Sequence, residues 1–349
     1  MLFDTRIAAT LGASLLALHT YATWTRKKMT TESTTAAQGP YEPSVADVLV
    51  TKAMLCKALR LPPEIVDTIV DHAEYWPHTT TRVDYPNDSL IARGKNNFGN
   101  RSATENVFLL RSPPLGLHNW NRVSRGMGDT PIHRTVPKPR PPGQEFLVDD
   151  FQELVASPIS LLAHPCRRIV FTIRSHDQGW GGAPGDHGTY NGSWTWFEAG
   201  LERWCRSSPS QISSAGGQPP QQPDHGPSLK LDDLCTVYPE VEWQSEAQAY
   251  VFKHDLLARE EYKVQCNITA QRETQTHCVV WSYTDDIDPE RDPEAATRLA
   301  EQGRGKATGN GKFVRDLKLG DIVTLWAKAR FPGWANHVES VRMDVYYAV

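Results

Sequence analysis

Residues 167–180 read Arg-Arg-Ile-Val-Phe-Thr-Ile-Arg-Ser-His-Asp-Gln-Gly-Trp, and this stretch decides the fold that we expect. Its apolar residues Ile169, Phe171 and Ile173 alternate with polar ones, which is the pattern of a β-strand with one packed side and one wet side. The strand then runs into a loop of polar residues and glycines around Trp180. Such a loop is typical of a binding site on a β scaffold, and it also occurs as an ordinary connection between strands.

Further segments along the chain show a similar pattern, and clusters of Gly, Pro and Asn separate them. The predicted strands cover residues 79–83, 106–111, 193–201, 246–253, 262–269, 276–283, 322–330 and 338–347. Many short strands between turn residues predict a mostly β fold, namely a β-sandwich or jelly roll of the galactose-binding-like kind. The last two strands are expected to pair as a closing hairpin, joined by residues 331–336.

Two short helices are predicted ahead of the strands. Ser44 is expected to cap the first helix, with Asp47 three residues later completing a capping box. The second helix opens at Pro62-Pro63, where a proline costs no helical hydrogen bond, and Pro77 ends this helical region.

The start of the second helix, Leu61-Pro-Pro-Glu-Ile65, resembles the opening of an F-box, a helical module that docks a ubiquitin-ligase adaptor. The resemblance implies an adaptor role. An F-box continues with further helices, whereas a strand is predicted directly after Pro77. An amphipathic helix that begins at proline also arises without that role, and this simpler interpretation is the favoured one.

The amino-terminal segment from Ile7 to Trp24 is uncharged, and Arg26-Lys-Lys28 follows it. The run is just long enough to cross a bilayer. Because the basic residues lie on its carboxyl side, the positive-inside rule places the main body in the cytosol, as a single-pass membrane protein. A cleaved signal peptide would carry its positive charge ahead of the apolar run. The alternative is a translation start at Met29, which would give a cytoplasmic protein.

These patterns divide the chain into segments. We expect a membrane anchor at 1–28, a linker at 29–43, a helical pair at 44–77 and a β-sandwich domain at 78–349. Residues 206–228 are rich in Ser, Gln, Gly and Pro, a composition that buries little apolar surface. They are therefore expected to be a disordered insertion in the sandwich.

The overall composition narrows the class of protein. The chain has 349 residues and a net charge of -4, and its sequence pI is near 6.3. This balance argues against a general nucleic-acid binder, and no nucleic-acid partner is predicted. The 6 cysteines are scattered without a Cys-x-x-Cys pair, which favours reduced, partly buried thiols over a zinc site.

The candidate ligand-binding residues combine aromatic rings with polar side chains near predicted loops and strand ends. They are His176, Asp177, Gln178, Trp180, Trp194, Trp334 and Asn336. Flat apolar faces beside fixed polar groups grip sugars and other amphipathic ligands. Trp194, Trp196 and Glu198 share one face of a predicted strand, so at least one of these indoles is expected to be core.

An alternative is an enzyme that uses His176, Asp177, Asp186 and His187, because two imidazoles and two carboxylates can bind a metal or exchange protons. Glycines between the two pairs weaken this alternative, since metal ligands need a rigid frame. The favoured interpretation is that these side chains satisfy backbone groups at the end of a strand. The sequence has no nucleophile elbow, dinucleotide fingerprint or zinc-protease helix, and we predict no catalytic residue, metal or cofactor.

Segments 61–78, 169–182, 193–202 and 313–349 together are similar to a family of uncharacterised fungal proteins, which have stretches like Asp177-Gln-Gly-Trp-Gly181 and Phe331-Pro-Gly-Trp-Ala-Asn336. The resemblance implies one shared architecture for most of the chain after Pro43, and it supplies no catalytic residue.

The sequence as a whole favours a non-enzymatic β-sandwich protein that binds a small ligand or scaffolds a protein partner. The segment from Ile7 to Trp24 would tether it to a membrane. An enzyme built on the loop after the organising strand, and an F-box-like adaptor, are the alternatives.

Overall fold

The computed structural model describes residues 42–85, 89–95, 104–117, 132–154, 164–206, 229 and 231–349. The predicted anchor from Ile7 to Trp24 and nearly all of the predicted insertion at 206–228 lie outside these residues. Over the ranges that the structure does describe, no helix is both long and apolar enough to span a bilayer. The chain divides into two compact units, one that ends at Pro77 and also takes in Val349, and one from His78 to Ala348.

The first unit contains a pair of helices, α1 (Val45–Leu59) and α2 (Pro63–His72). The predicted capping box is present, because the Ser44 side chain accepts from the Asp47 amide and the Asp47 side chain accepts from the Ser44 amide. Helix α2 begins with Pro63 in its first turn, as expected. Val48, Val66 and other apolar residues form a small core between the two helices.

The second unit is mostly β-structure, as the sequence predicts. Its strands are β1 (His78–Asp84), β2 (Leu90–Arg93), β3 (Asn106–Arg111), β4 (Gln144–Glu145), β5 (Cys166–His176), β6 (Thr195–Arg206), β7 (Leu234–Tyr238), β8 (Glu240–Gln244), β9 (Ala249–Lys253), β10 (Lys263–Cys266), β11 (Gln275–Ser282), β12 (Ile322–Ala329) and β13 (Ala335–Tyr347). Two short helices, α3 (Pro293–Glu301) and α4 (Lys312–Arg315), interrupt the series. Asp292 caps α3 by accepting from the Ala295 amide.

All the strand pairs among the described residues are antiparallel, and they build two main sheets. The first sheet has the order β1-β13-β5-β11, with β2 also paired to β13. The second has the order β10-β6-β12-β3, with β4 and β7 also paired to β6. Strands β8 and β9 form a separate two-stranded ribbon.

The organising strand β5 lies in the interior of the first sheet, between β13 and β11. Its apolar residues Ile169, Phe171 and Ile173 are fully buried, whereas Arg174 is exposed. In the ladders, Phe171 lies opposite Met343 on one side. The predicted alternation is therefore confirmed, and it orients the outward residues of β5 toward solvent.

The predicted closing hairpin of β12 and β13 is wrong. These strands follow each other in the chain, but β12 pairs with β3 and β6 whereas β13 pairs with β1, β2 and β5. The connection at 331–334 therefore crosses from one sheet to the other. A continuous apolar side on each strand requires only that it be covered, and two separate sheets meet that requirement as well as a hairpin does.

Buried amide side chains connect the two sheets. Asn336 of β13 donates from Nδ2 to the Trp196 carbonyl of β6 at 3.0 Å. Asn267 Nδ2 donates to Asn336 Oδ1 at 2.9 Å, and Asn267 Oδ1 accepts from the Ser175 hydroxyl of β5 at 2.7 Å. These polar groups are fully buried and satisfy one another, so they fix the position of β13 relative to β6.

The two faces of the second sheet differ in chemistry. Phe197, Ala199 and Leu325 lie on one face and are fully buried. Glu198 and Lys328 lie on the other face and are also buried. This second face therefore holds charges away from water, which requires that they be paired.

Candidate ligand-binding site

The loop after β5 is held in place by Asp177. Its carboxylate accepts from the backbone amides of Gly179 at 2.6 Å, Ala270 at 2.6 Å and Gln271 at 2.9 Å. Burial raises the pKa of Asp177, although the three amide donors favour its ionised form. Asp177 is fully enclosed, so its contribution to a site is to fix the loop that carries the other candidates.

Gln178 joins this loop to the connection between β12 and β13. Its Nε2 donates to the Trp180 carbonyl, and its Oε1 accepts from the Ala335 amide at 3.1 Å. Trp180 packs over Gly333, where a Cβ would lie only 2.8 Å from the indole. The φ of Gly333 is 90°, a conformation that other residues rarely adopt, so this contact depends on glycine.

The Trp180 indole is 56 % exposed despite these contacts. The other predicted indoles are half-buried: Trp194 meets Phe331 edge to face with ring centroids 4.5 Å apart, and Trp334 lies beside Gly182. The structure thus brings Gln178, Trp180 and Trp334 together where two loops meet. Trp196, in contrast, is buried, as expected for at least one indole of β6.

Asn336 lies in the interior rather than at this surface. Its amide is used by the hydrogen bonds between the sheets. Asp177 and Asn336 therefore make hydrogen bonds that hold the scaffold together. Of the predicted site residues, Trp180 has the most exposed side chain.

His176 stands at the end of β5 and stacks on His337 of β13. The two rings lie 4.6 Å apart and 9° from parallel. His176 Nδ1 is 2.6 Å from the Asp177 carbonyl, and His337 Nδ1 is 3.3 Å from the Ser89 hydroxyl. Burial lowers the pKa of His337 to about 4, with further contributions from the charges of His176 and Arg93. His337 is therefore neutral at pH 7.

An open cleft of about 530 Å³ lies against His176 on the outward side of the first sheet. Its walls come from β1, β5, β13 and the segment after β1. The lining residues are Arg82, Asp84, Tyr85, Ser89, Arg174, His176, Glu339 and Ser340. All of them carry a polar or charged side chain.

The charges in the cleft are already matched. Arg82 Nε donates to both carboxylate oxygens of Asp84, at 3.0 and 2.8 Å. Arg174 Nη2 donates to Glu339 Oε2 at 2.9 Å, and Glu339 also accepts from the Thr274 hydroxyl. The hydrogen bond from Arg82 lowers the pKa of Asp84. Two cations and two anions cancel, so the walls offer donors and acceptors without a net charge.

The sequence indicated only His176 among the lining residues. The others come from strands that are far apart in the chain, and their register could not be read from a single strand. One signal was present: Arg82-Val-Asp84 and Arg174-Ser-His176 each place two polar side chains at alternate positions, on the outward face of a strand.

The second candidate pair, Asp186 and His187, lies further along the same loop. The Asp186 carbonyl accepts from the Thr189 amide at 3.1 Å, which closes a turn. Within the described ranges, no group of three or more His, Cys, Asp or Glu side chains is arranged to hold a metal ion. The Asp177 carboxylate accepts from backbone amides and the Asp186 backbone carbonyl closes a turn, so these contacts are those of a folded loop.

No protein-family model, curated protein or solved structure matches this chain. The function of the chain is therefore inferred from its own site.

Proposed function

We propose that this protein is a non-enzymatic ligand-binding β-sandwich protein, and that its cleft takes a neutral, hydroxyl-rich ligand such as a sugar. The observation that carries the proposal is the open cleft with charge-balanced walls. The loop that begins directly after the lining residue His176 presents the exposed Trp180. Arginine–carboxylate pairs offer donors and acceptors to hydroxyl groups. An exposed indole supplies a flat apolar face on which a sugar ring stacks.

The balance of charge favours a neutral ligand over a strongly anionic one. A phosphate or nucleic acid would need cations that are free of carboxylate partners, whereas both lining arginines have one. The chain's net charge of -4 agrees with this preference. The proposal also has a scaffolding form, in which the cleft binds hydroxyl and amide groups of a protein partner instead of a sugar.

The test is a glycan-array screen with the full chain, followed by calorimetric titration of the best-bound sugar. Trp180→Ala should weaken the affinity about tenfold or more, which corresponds to about 1.4 kcal/mol. Trp243 is the matched control, because it is 51 % exposed but lies on the β8–β9 ribbon. Equal affinities of the two variants, or an array on which no sugar binds, would reject the proposal.

We also propose that the segment from Ile7 to Trp24 tethers the protein to a membrane with its body in the cytosol. This segment lies outside the described residues, and its uncharged run followed by basic residues supports the proposal. Full-length protein should stay in carbonate-washed membranes, and a chain that starts at Met29 should not. Recovery of both in the soluble fraction would contradict the tether.

A further inference from the structure

Cys205 on β6 and Cys235 on β7 are neighbours in the second sheet. The ladder places Cys235 opposite Arg203, and Cys205 lies two residues further along β6 on the same face. The two cysteines are therefore diagonal cross-strand neighbours, whose side chains can meet. The Cys205 thiol donates to the Arg203 carbonyl at 3.7 Å, and the pKa values of the two cysteines reflect a hydrogen bond between their side chains. Both are buried, and both are free of disulfide bonds.

The surroundings favour a thiolate at Cys205. The hydrogen bond with Cys235 is the largest effect, and the Gly143 amide and the charge of Arg203 add to it. Together they lower the pKa of Cys205 to about 7 against the opposing effect of burial. The same shared proton raises the pKa of Cys235 far above its ordinary value. In a thiol pair that shares one proton, the sulfur that releases it is the nucleophile and the other sulfur stays protonated.

The pair lies just beneath the protein surface. Residues 142–144 are exposed and lead into β4, where Glu145 is the ladder partner of Cys205. Gly143 packs against Cys205, so access of an oxidant to this sulfur requires the short segment to move. Cys235 is paired near the start of β7, just after the short helical turn Leu231–Asp233, and a disulfide requires the two sulfurs to come within bonding distance there.

The other buried cysteines provide a contrast. Burial raises the pKa of Cys166 to about 12 and that of Cys266 to about 11. The Cys166 thiol faces the Tyr346 carbonyl at 3.6 Å. These two thiols stay protonated at neutral pH, and a protonated thiol is a poor nucleophile. Cys278 is exposed, and it tests whether exposure alone governs oxidation.

We propose that Cys205 and Cys235 form a reversible redox site that exchanges with low-molecular-weight disulfides such as glutathione disulfide. The Cys205 thiolate attacks one sulfur of the disulfide, whose S–S bond breaks and releases one glutathione thiolate. Cys235 then loses its proton to solvent and attacks the Cys205 sulfur of the mixed disulfide, which releases the second glutathione. The protein gives up two electrons, and the oxidant becomes two thiols. This site uses no residue of the ligand cleft.

The test incubates the full chain in glutathione buffers of increasing oxidised fraction, blocks remaining thiols with an alkylating reagent and maps the peptides by mass spectrometry. A peptide pair linked through Cys205 and Cys235 should appear and should disappear on reduction. Cys235→Ser should instead accumulate a mixed disulfide of glutathione on Cys205, because the second attack is missing. Cys205→Ser should show neither product, and Cys166→Ser should behave like the natural chain.

Circular dichroism shows whether each variant is folded. If a variant is not folded, the linked peptide pair of the natural chain still tests the proposal. Absence of the linked peptide pair at every buffer ratio would overturn the proposal. So would oxidation confined to the exposed Cys278, or a Cys235→Ser variant that takes up no glutathione at Cys205.

Discussion

Ion pairs occur in two contrasting regions of the β unit. In the cleft of the first sheet, Arg174 and Glu339 meet at 2.9 Å with side chains 54 % and 37 % exposed. In the second sheet, Arg111 and Glu202 meet at the same 2.9 Å with side chains 2 % and 3 % exposed. The two nitrogen–oxygen distances are equal, and the access of water to the two pairs differs.

The exposure of an ion pair therefore indicates whether its groups are available to bind a ligand or are needed to stabilise the fold. An exposed ion pair contributes only about 0–1 kcal/mol to stability, so its donors and acceptors can turn to a ligand at little cost. A buried pair that loses one partner leaves a charge without solvation, which costs about 3–5 kcal/mol. Burial therefore assigns Arg111 and Glu202 to the scaffold and leaves Arg174 and Glu339 available for binding.

The largest effect is expected from Arg111→Met. Arg111 Nη2 donates to Glu202 Oε1 at 3.0 Å, and the substitution leaves that carboxylate buried without its cation. Burial already raises the pKa of Glu202 and lowers that of Arg111. The free energy of unfolding in urea should fall by about 3–5 kcal/mol.

The control for this prediction removes both charges. Arg111→Met combined with Glu202→Met should recover much of the stability that Arg111→Met loses, because no charge then stays buried. A single variant as stable as the natural chain would show that the buried pair does not support the fold.

A smaller effect concerns Lys328, whose Nζ lies 2.6 Å from His254 Nδ1 and 3.4 Å from Glu198. Burial lowers the pKa of Lys328 to about 8. Between that value and the unfolded value of about 10.4, the unfolded chain holds a proton that the folded protein has released. Stability should therefore rise with pH in this window, by up to about 3 kcal/mol.

Urea unfolding at pH 7.5 and at pH 10, under reducing conditions, measures this rise. Lys328→Met should show a smaller gain between the two pH values than the natural chain. Other groups titrate in both chains. The contribution of Lys328 is therefore the difference between the gain in stability of the natural chain and that of the variant. An identical gain in the variant would mean that Lys328 is charged throughout the window.

In acid, protonation of His337 should destabilise the protein. Burial lowers the pKa of His337 to about 4, so between about 6.5 and 4 the unfolded chain binds a proton that the folded protein does not. Stability therefore falls as pH falls through this range. His337→Gln should reduce the loss between pH 7 and 4.5 by about 1–2 kcal/mol in urea titrations. The exposed His187→Gln control should leave the loss unchanged.

The sequence predicted local structure far better than it predicted pairing. The alternation of Ile169, Phe171 and Ile173, the capping box at Ser44 and the mostly β fold could all be read from neighbouring residues. The pairing of β12 and β13 could not, because an apolar strand face does not specify its neighbour.

The candidate site shows the same division. The residues after β5 were found because they follow one another in the chain. The arginines of the cleft and the buried partner of Arg111 were missed, since each contact joins strands that are distant in sequence. Burial decides whether such a charge supports the fold or a ligand, and burial follows from the packing of the whole unit.

Arg174→Ala distinguishes a cleft residue from a scaffold residue when its stability and its sugar affinity are both measured. The proposal that the cleft binds a sugar through donors that the fold can spare predicts a change in unfolding free energy of no more than about 1 kcal/mol. It also predicts an affinity for the array-selected sugar that is about tenfold weaker or more. A loss of several kcal/mol in stability with unchanged sugar affinity would contradict it, because Arg174 would then belong to the scaffold, like Arg111.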